Sequence, residues 1–231
     1  MSSRGLRWTA VGIGVLFWIS DLVTLIGGVV TGTLPTSANA LATVPAHATQ
    51  IVAGTLIAHV NDFAVIGYGV LLYTVLVRFN AGAALGVAAF KVVEAVLLLI
   101  AAAMLLALVG LAQSGPDPTT FKASADLALS VQFWTTRLAA FAYLVSTPLA
   151  NLVLFQTRLV PRWLSGFGLV ACAMLATGLA LGVGDPTRGF EPGQLLLIPI
   201  ILWELTFATW LIARGFNPTP TARQTDLIMA A

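Results

Sequence analysis

Six stretches of this chain, residues 8–30, 51–77, 81–111, 127–155, 163–183 and 195–213, stay apolar for about the length a helix needs to cross a bilayer. No other feature limits the fold as much. Backbone surrounded by hydrocarbon must satisfy its hydrogen bonds within the segment, so such stretches read as α-helices. Composition closes the alternative of a water-soluble domain: of 231 residues 58% are hydrophobic and only 9% charged, and the mean hydropathy is +0.96. A soluble surface usually needs about 25% charged residues. Disorder, collagen and coiled coil fail on the same figures. The expected fold is all-α, a polytopic six-transmembrane-helix bundle, with residues 1–231 forming a single transmembrane domain.

The breaks between spans carry the usual punctuation. Pro35 and Pro45 fall in the first loop, and Phe79-Asn80-Ala81-Gly82 reads as a tight turn. Ser114-Gly115-Pro116-Asp117-Pro118 precedes the fourth span, with Thr119 and Thr120 as candidate N-caps. Pro161 and Pro192 each suit the first turn of a helix. The third and fourth segments exceed one membrane thickness and are expected to tilt or project.

Orientation follows from the distribution of cations. With the N-terminus inside, the inner flanks hold Arg4, Arg7, Arg78, Arg158, Arg162, Arg214 and Arg223, and the outer loops hold Lys122 and Arg188. Both termini are therefore expected to be cytoplasmic, in a multi-pass protein of the cytoplasmic membrane. Arg4 and Arg7 with Ala38-Asn39-Ala40 resemble parts of a signal peptide. The apolar run is about twice a normal signal core and contains Asp21, so the first span is expected to be retained. The net charge of +2 is spread along these flanks rather than clustered, which argues against nucleic acid as a partner. The single cysteine, Cys172, excludes an intrachain disulfide and reads as a small hydrophobe within a span. No cofactor motif is present.

The informative residues are the ionisable ones inside the spans, since each costs at least about 2.5–3.5 kcal/mol at a helix centre. They are Asp21, Asp62, Lys91, Glu94, Arg137 and Glu204, with His59 beside Asp62. Counting residues from the inner flank at about 1.5 Å each puts all of them in one layer, from the midplane into the outer half. Lys91 and Glu94 are three apart on one helix face, as are His59 and Asp62. Gly14, Asp21 and Gly28 make a seven-residue stripe on the first helix. Arg137, Leu144, Thr147 and Asn151 make another on the fourth, with Pro148 expected to kink it. Gly28/Gly32 and Gly178/Gly182 have spacing that permits close helix contact. Four carboxylates against Lys91 and Arg137 leave a formal deficit of two positive charges. Raised carboxyl protonation, a charged His59 or a bound cation each offset it.

Several readings fit this layer. The charges fix helix register, through Lys91 with Glu204 or Glu94 and Arg137 with Asp62. Alternatively they form a site that transports or binds a proton, a small cation or another small polar solute. On this reading Lys91 orients and neutralises Glu94 and Glu204, while Asp62 with His59 exchanges protons with the outer face. A third reading makes His59, Asp62, Glu94 and Glu204 a metal site of a membrane enzyme, against which no HExxH motif is present and His47 lies in the outer loop. A fourth is an accessory subunit whose Tyr68, Tyr73, Phe90, Trp134, Trp203 and Trp210 line an apolar pocket. Enzymatic activity is the less expected outcome.

Three motifs carry a family resemblance: Ala89-Phe90-Lys91-Val92-Val93-Glu94-Ala95, Leu159-Val160-Pro161-Arg162-Trp163-Leu164-Ser165-Gly166, and Trp203-Glu204-Leu205 through Trp210-Leu211-Ile212. With them the chain resembles a bacterial family of compact six-helix membrane proteins known as domain of unknown function four-three-eight-six, over nearly its whole length. That pattern has a basic residue at the place of Lys91 and Gln or Glu at the place of Glu94. It usually has Gly-Glu before the sixth-helix tryptophan, whereas here Trp203 precedes Glu204. The second helix matches less well, which makes His59 and Asp62 particular to this chain. The resemblance implies a common polar core of Lys91, Glu94 and Glu204, and implies no reaction, substrate or cofactor.

Overall fold

A computed structural model describes residues 3–36, 39–182 and 192–217. Within them the secondary structure is helical and contains no strand. Eight α-helices run α1 (Ser3–Thr31), α2 (Ala40–Ala46), α3 (Ala48–Ala58), α4 (Val60–Leu76), α5 (Ala81–Gln113), α6 (Pro118–Thr157), α7 (Arg162–Ala180) and α8 (Ile198–Ala213), the last preceded by a 3₁₀ turn. Six segments are long and apolar enough to cross a membrane: Arg4–Thr31, Ala48–Leu76, Ala81–Gln113, Pro118–Thr157, Arg162–Ala180 and Leu195–Ala213. Their outer faces carry Leu25, Val29, Phe63, Leu85, Leu127, Phe141 and Val170, all well exposed. In water these would be an aggregation surface; against lipid they are solvated.

The spans close into a ring in chain order. α1 packs on α3 and α4, α4 on α5, α5 on α6, α6 on α7, α7 on α8, and α8 returns to α1. Arg7 locks this seam by donating to the last carbonyls of α8, at 3.0 Å to Leu211 and 2.6 Å to Ile212. Basic side chains suit a helix C-terminus, whose carbonyls have no partner in the helix. Asn217 ties the same end to the α6–α7 turn through its backbone N–H to the Leu159 carbonyl and its side chain to that of Arg158. Arg4, Arg7, Arg78, Arg158, Arg162 and Arg214 thus gather at one end, called here the terminal end. Arg188 and Arg223 lie outside the described residues, as does Ala38.

Two expectations about the breaks are corrected. The first loop is not continuous coil: Pro45 lies inside the short helix α2, whose Ala40 and Val44 pack with Ile51 onto Leu105, Leu108, Val109, Phe121 and Ala125. This satellite core explains the long segments. α5 and α6 have 33 and 40 residues, or about 50 and 60 Å, against a hydrocarbon core of about 30 Å. Their hairpin runs beyond the ring, and α2 covers it. α6 also begins at Pro118, well before residue 127, and passes through Pro148 as one helix.

The second correction concerns the start of α6. The N-cap is Asp117, not Thr119 or Thr120; its Oδ1 accepts from both of their backbone N–H groups at 3.0 Å. Hydrogen bonds from the Thr120 side chain and backbone, then from the Thr119 backbone, hold this carboxyl below the usual carboxylate range. Its stabilising effect is complete above the unfolded value of about 3.9 and is lost as pH falls through the lower folded value. Hydrogen exchange of the first turn of α6 is expected to lose protection as pH falls below about 3.9 and through the lower folded value. Asp117→Ala should leave it unprotected throughout, and Asp117→Asn, still a good cap, should remove the pH dependence. An acid-insensitive wild type would contradict this.

Glycines contact neighbours elsewhere than expected. A methyl group placed on Gly28 meets nothing within 4 Å, and Gly32 and Gly182 take positive φ of 70° and 80° as helix-ending residues. The close approach is between Gly27 and Gly54. A Cβ on Gly27 would lie 2.5 Å from Ala58 N, and one on Gly54 would lie 2.5 Å from Thr31 N and collide with Thr31 Oγ1. A heptad stripe drifts about 20° per repeat on a straight helix. Gly14 faces α8, with a Cβ there 2.6 Å from the Ala208 carbonyl, whereas Gly28 two heptads later has rotated out of the contact.

Candidate functional site

The ring interior has two layers. Nearer the terminal end, Phe17 stacks on Tyr68 at 4.0 Å and meets Phe207 edge-on at 5.6 Å, and Trp203 stacks on Phe207 at 5.2 Å. Trp203 Nε1 donates to the Leu164 carbonyl at 3.0 Å. These four rings from α1, α4 and α8 are buried. Tyr68 and Trp203 are therefore packing residues here, while Tyr73, Phe90 and Trp134 are on the exposed side of their helices. Cys172 is free and buried in the same core.

The ionisable residues lie against these rings. Lys91 is 2% exposed and Glu94 6%. The Lys91 ammonium donates to Glu94 Oε2 at 2.8 Å, sits 4.1 Å from the centre of the Tyr143 ring and 5.3 Å from that of Tyr68. Two aromatic faces and one carboxylate thus replace its water. Gly69 makes room for its stem; a Cβ there would lie 2.9 Å from Lys91 Cβ.

Glu204 does not take Lys91 as its ion-pair partner. Its Oε1 accepts from the Tyr143 hydroxyl at 2.8 Å, and it lies within hydrogen-bond reach of Asp21, with Lys91 and Glu94 also within electrostatic range. Asp21 Oδ2 is buried and has no donor. Ionised carboxyls only accept hydrogen bonds, so a direct contact between these two needs a proton or a cation to join them. Glu204 itself is half-buried because it opens onto a pocket of about 240 Å³, whose polar lining is Glu94, Glu204, Tyr143 and Thr136.

His59 and Asp62 form a separate chain. The second span breaks into α3 and α4 at His59, which has φ −82° and ψ 1°. Asp62 then falls in the first turn of the new helix, where a carboxylate suits the helix dipole. Asp62 is fully buried. Its Oδ2 lies 2.7 Å from His59 Nδ1, its Oδ1 accepts from Asn61 at 3.1 Å, and Asn61 in turn accepts from Ser20. His59 remains partly exposed. The chain therefore runs from the surface of the bundle to a carboxylate in its centre.

Arg137 corrects the expected pairing with Asp62. Its guanidinium sits at the C-terminal end of α7, donating to the Leu179 carbonyl at 3.4 Å and the Gly182 carbonyl at 3.2 Å, over the Phe133 ring. The metal-site arrangement is corrected too: among the described residues no three of His, Cys, Asp and Glu converge as a ligand set. His59 with Asp62 and Glu204 with Asp21 are distinct clusters. Of the seven candidates, Asp21, Lys91, Glu94 and Glu204 form one group, His59 and Asp62 a second, and Arg137 stands apart. Sequence reasoning missed Tyr143, although its seven-residue spacing from Thr136 and four from Thr147 put these polar side chains on one helix face. It also missed Asn61 and Ser20.

The sequence model of the family described as Domain of unknown function (DUF4386) matches residues 12–215. No curated protein and no solved structure matches the chain.

Proposed function

The chain belongs to the DUF4386 family, so its activity has to be read from its own interior, and we propose that it binds and moves a small cationic or protonatable solute. The observation that carries this reading is the Asp21–Glu204 pair: two carboxyls from α1 and α8 within hydrogen-bond reach of each other, with the buried Asp21 Oδ2 lacking any donor. Transport sites are commonly built where ionisable side chains meet inside a bundle beside an interrupted helix, and α3–α4 is such a helix. The pocket beside Glu204 is the solute's place of entry. With arginines gathered at the terminal end, the positive-inside rule makes that end cytoplasmic. Lys91 neutralises Glu94, and His59 with Asp62 passes protons inward from the bundle surface.

A second reading applies to Lys91 and Glu94 alone. Their enclosure and mutual 2.8 Å contact fit a pair that fixes the register of α5 against α4 and α6.

Glu204→Gln tests the reading, because glutamine can still accept from Tyr143 but removes the charge. Detergent-purified protein is to be screened by thermal unfolding against potassium, ammonium and amines. A ligand at 100 times its Kd raises apparent stability by about 2.7 kcal/mol. The expected result is a cation-dependent shift in wild type that Glu204→Gln loses while remaining folded. Equal shifts in both proteins would refute the site; no shift with any cation, together with a destabilised variant, would leave only a packing role.

A further inference from the structure

We propose that the pocket between α5, α6, α7 and α8 binds a monovalent ammonium ligand with an apolar body, its charged head against Glu204. The inference rests on the reading above and names its substrate class. Three observations carry it. First, the pocket's volume of about 240 Å³ exceeds the roughly 150 Å³ of a cavity that takes benzene. A bare ion would leave most of it unfilled. Second, its walls divide by chemistry. Leu98, Ala139, Ala140, Leu175 and Ile200 offer only hydrocarbon; the polar lining is Glu94, Thr136 and the Tyr143 hydroxyl bonded to Glu204. That is the complement of an amine with a short alkyl or aryl body.

Third, local charge sets the valence. Lys91 cancels Glu94, and one proton shared by Asp21 and Glu204 leaves a single negative charge where Glu204 meets the pocket. One ammonium closes this balance, whereas a dication overshoots it. Tyr143, whose hydroxyl donates to Glu204, contributes an acceptor oxygen beside it. The ammonium group can belong to a soluble amine or to an aminolipid head group reaching between the helices.

The test uses phenethylamine and ammonium ion as probes with the full-length protein, by titration calorimetry and thermal unfolding. Phenethylamine is expected to bind at least tenfold more tightly than ammonium, and 1,4-diaminobutane no better than ammonium. Ala140→Phe fills the pocket, and Thr136→Trp narrows its exposed mouth without touching a carboxylate. Each should weaken phenethylamine at least tenfold and leave ammonium unchanged. If Ala140→Phe fails to fold, Thr136→Trp still decides, because Thr136 is exposed. Nanodiscs with and without phosphatidylethanolamine separate the two sources: stabilisation by this lipid that both variants lose assigns the head group, and its absence assigns the soluble amine. Phenethylamine no tighter than ammonium, or insensitive to both variants, overturns the pocket assignment. If ammonium binding still depends on Glu204 in that case, the broader functional reading survives; if neither probe binds, both fall.

Discussion

Lys91→Ala is expected to lower stability by about 3–5 kcal/mol, the cost of leaving a buried charge without its partner. Glu94 is 6% exposed and takes the lysine ammonium through Oε2. Without that ammonium the carboxylate faces the π clouds of Tyr68 and Tyr143, which repel an anion, and the cavity left by the lysine stem adds to the loss. Thermal unfolding in detergent should report it as a large drop in midpoint. The double variant Lys91→Met with Glu94→Gln should recover most of the loss, since an enclosed ion pair replaced by neutral groups of similar volume is often neutral or stabilising. A Lys91→Ala protein as stable as wild type would show that Glu94 has another partner.

Gly54→Val should be the next most damaging change. Its Cβ would overlap Thr31 Oγ1 and approach Thr31 N and the Gly27 carbonyl at 2.5 and 2.6 Å. Two of these three neighbours are backbone, so relief requires α1 and α3 to separate. Overpacking of this kind costs about 1–3 kcal/mol, and the upper end is expected because neither helix can yield by a rotamer change. Gly28→Val is the control. Nothing lies within 4 Å of a Cβ there, so its effect should stay within about 0.5 kcal/mol. Hydrogen exchange along α3 should rise in Gly54→Val and stay unchanged in Gly28→Val. The reverse pattern would mean the helices meet through the other face of α1.

The spans were legible because their signal is local: about 20 consecutive apolar residues declare a membrane helix whatever it packs against. The Lys91–Glu94 and His59–Asp62 pairs were legible for the same reason, since both partners sit three residues apart on one helix. Arg137 was not. Counting along an axis gives height but not angle, so a residue can share the level of Asp62 and still turn toward the end of α7. Tyr143 was overlooked because a tyrosine carries no charge to balance, and its importance to Glu204 exists only once α6 and α8 are arranged around α7. The helix α2 was hidden by Pro45, which reads as a loop residue until the projecting hairpin supplies apolar surface to cover. Choosing Gly28 over Gly27 was an error of one residue, and on a helix one residue is a rotation of about 100°.

The ring's seam also bears on biogenesis. Synthesis proceeds from the N-terminus, so α1 enters the bilayer well before α8. α5 arrives with Lys91 and Glu94 on the same helix, and the second span arrives with His59 beside Asp62, so each carries its own counter-group through insertion. Asp21 has no such companion on its helix. Its carboxyl waits until the final helix brings Glu204 alongside and Arg7 fastens onto the new C-terminus. Shortening the chain before residue 198 would therefore leave that acid without the carboxyl of α8, so α1 keeps an unmatched charge until α8 has been made.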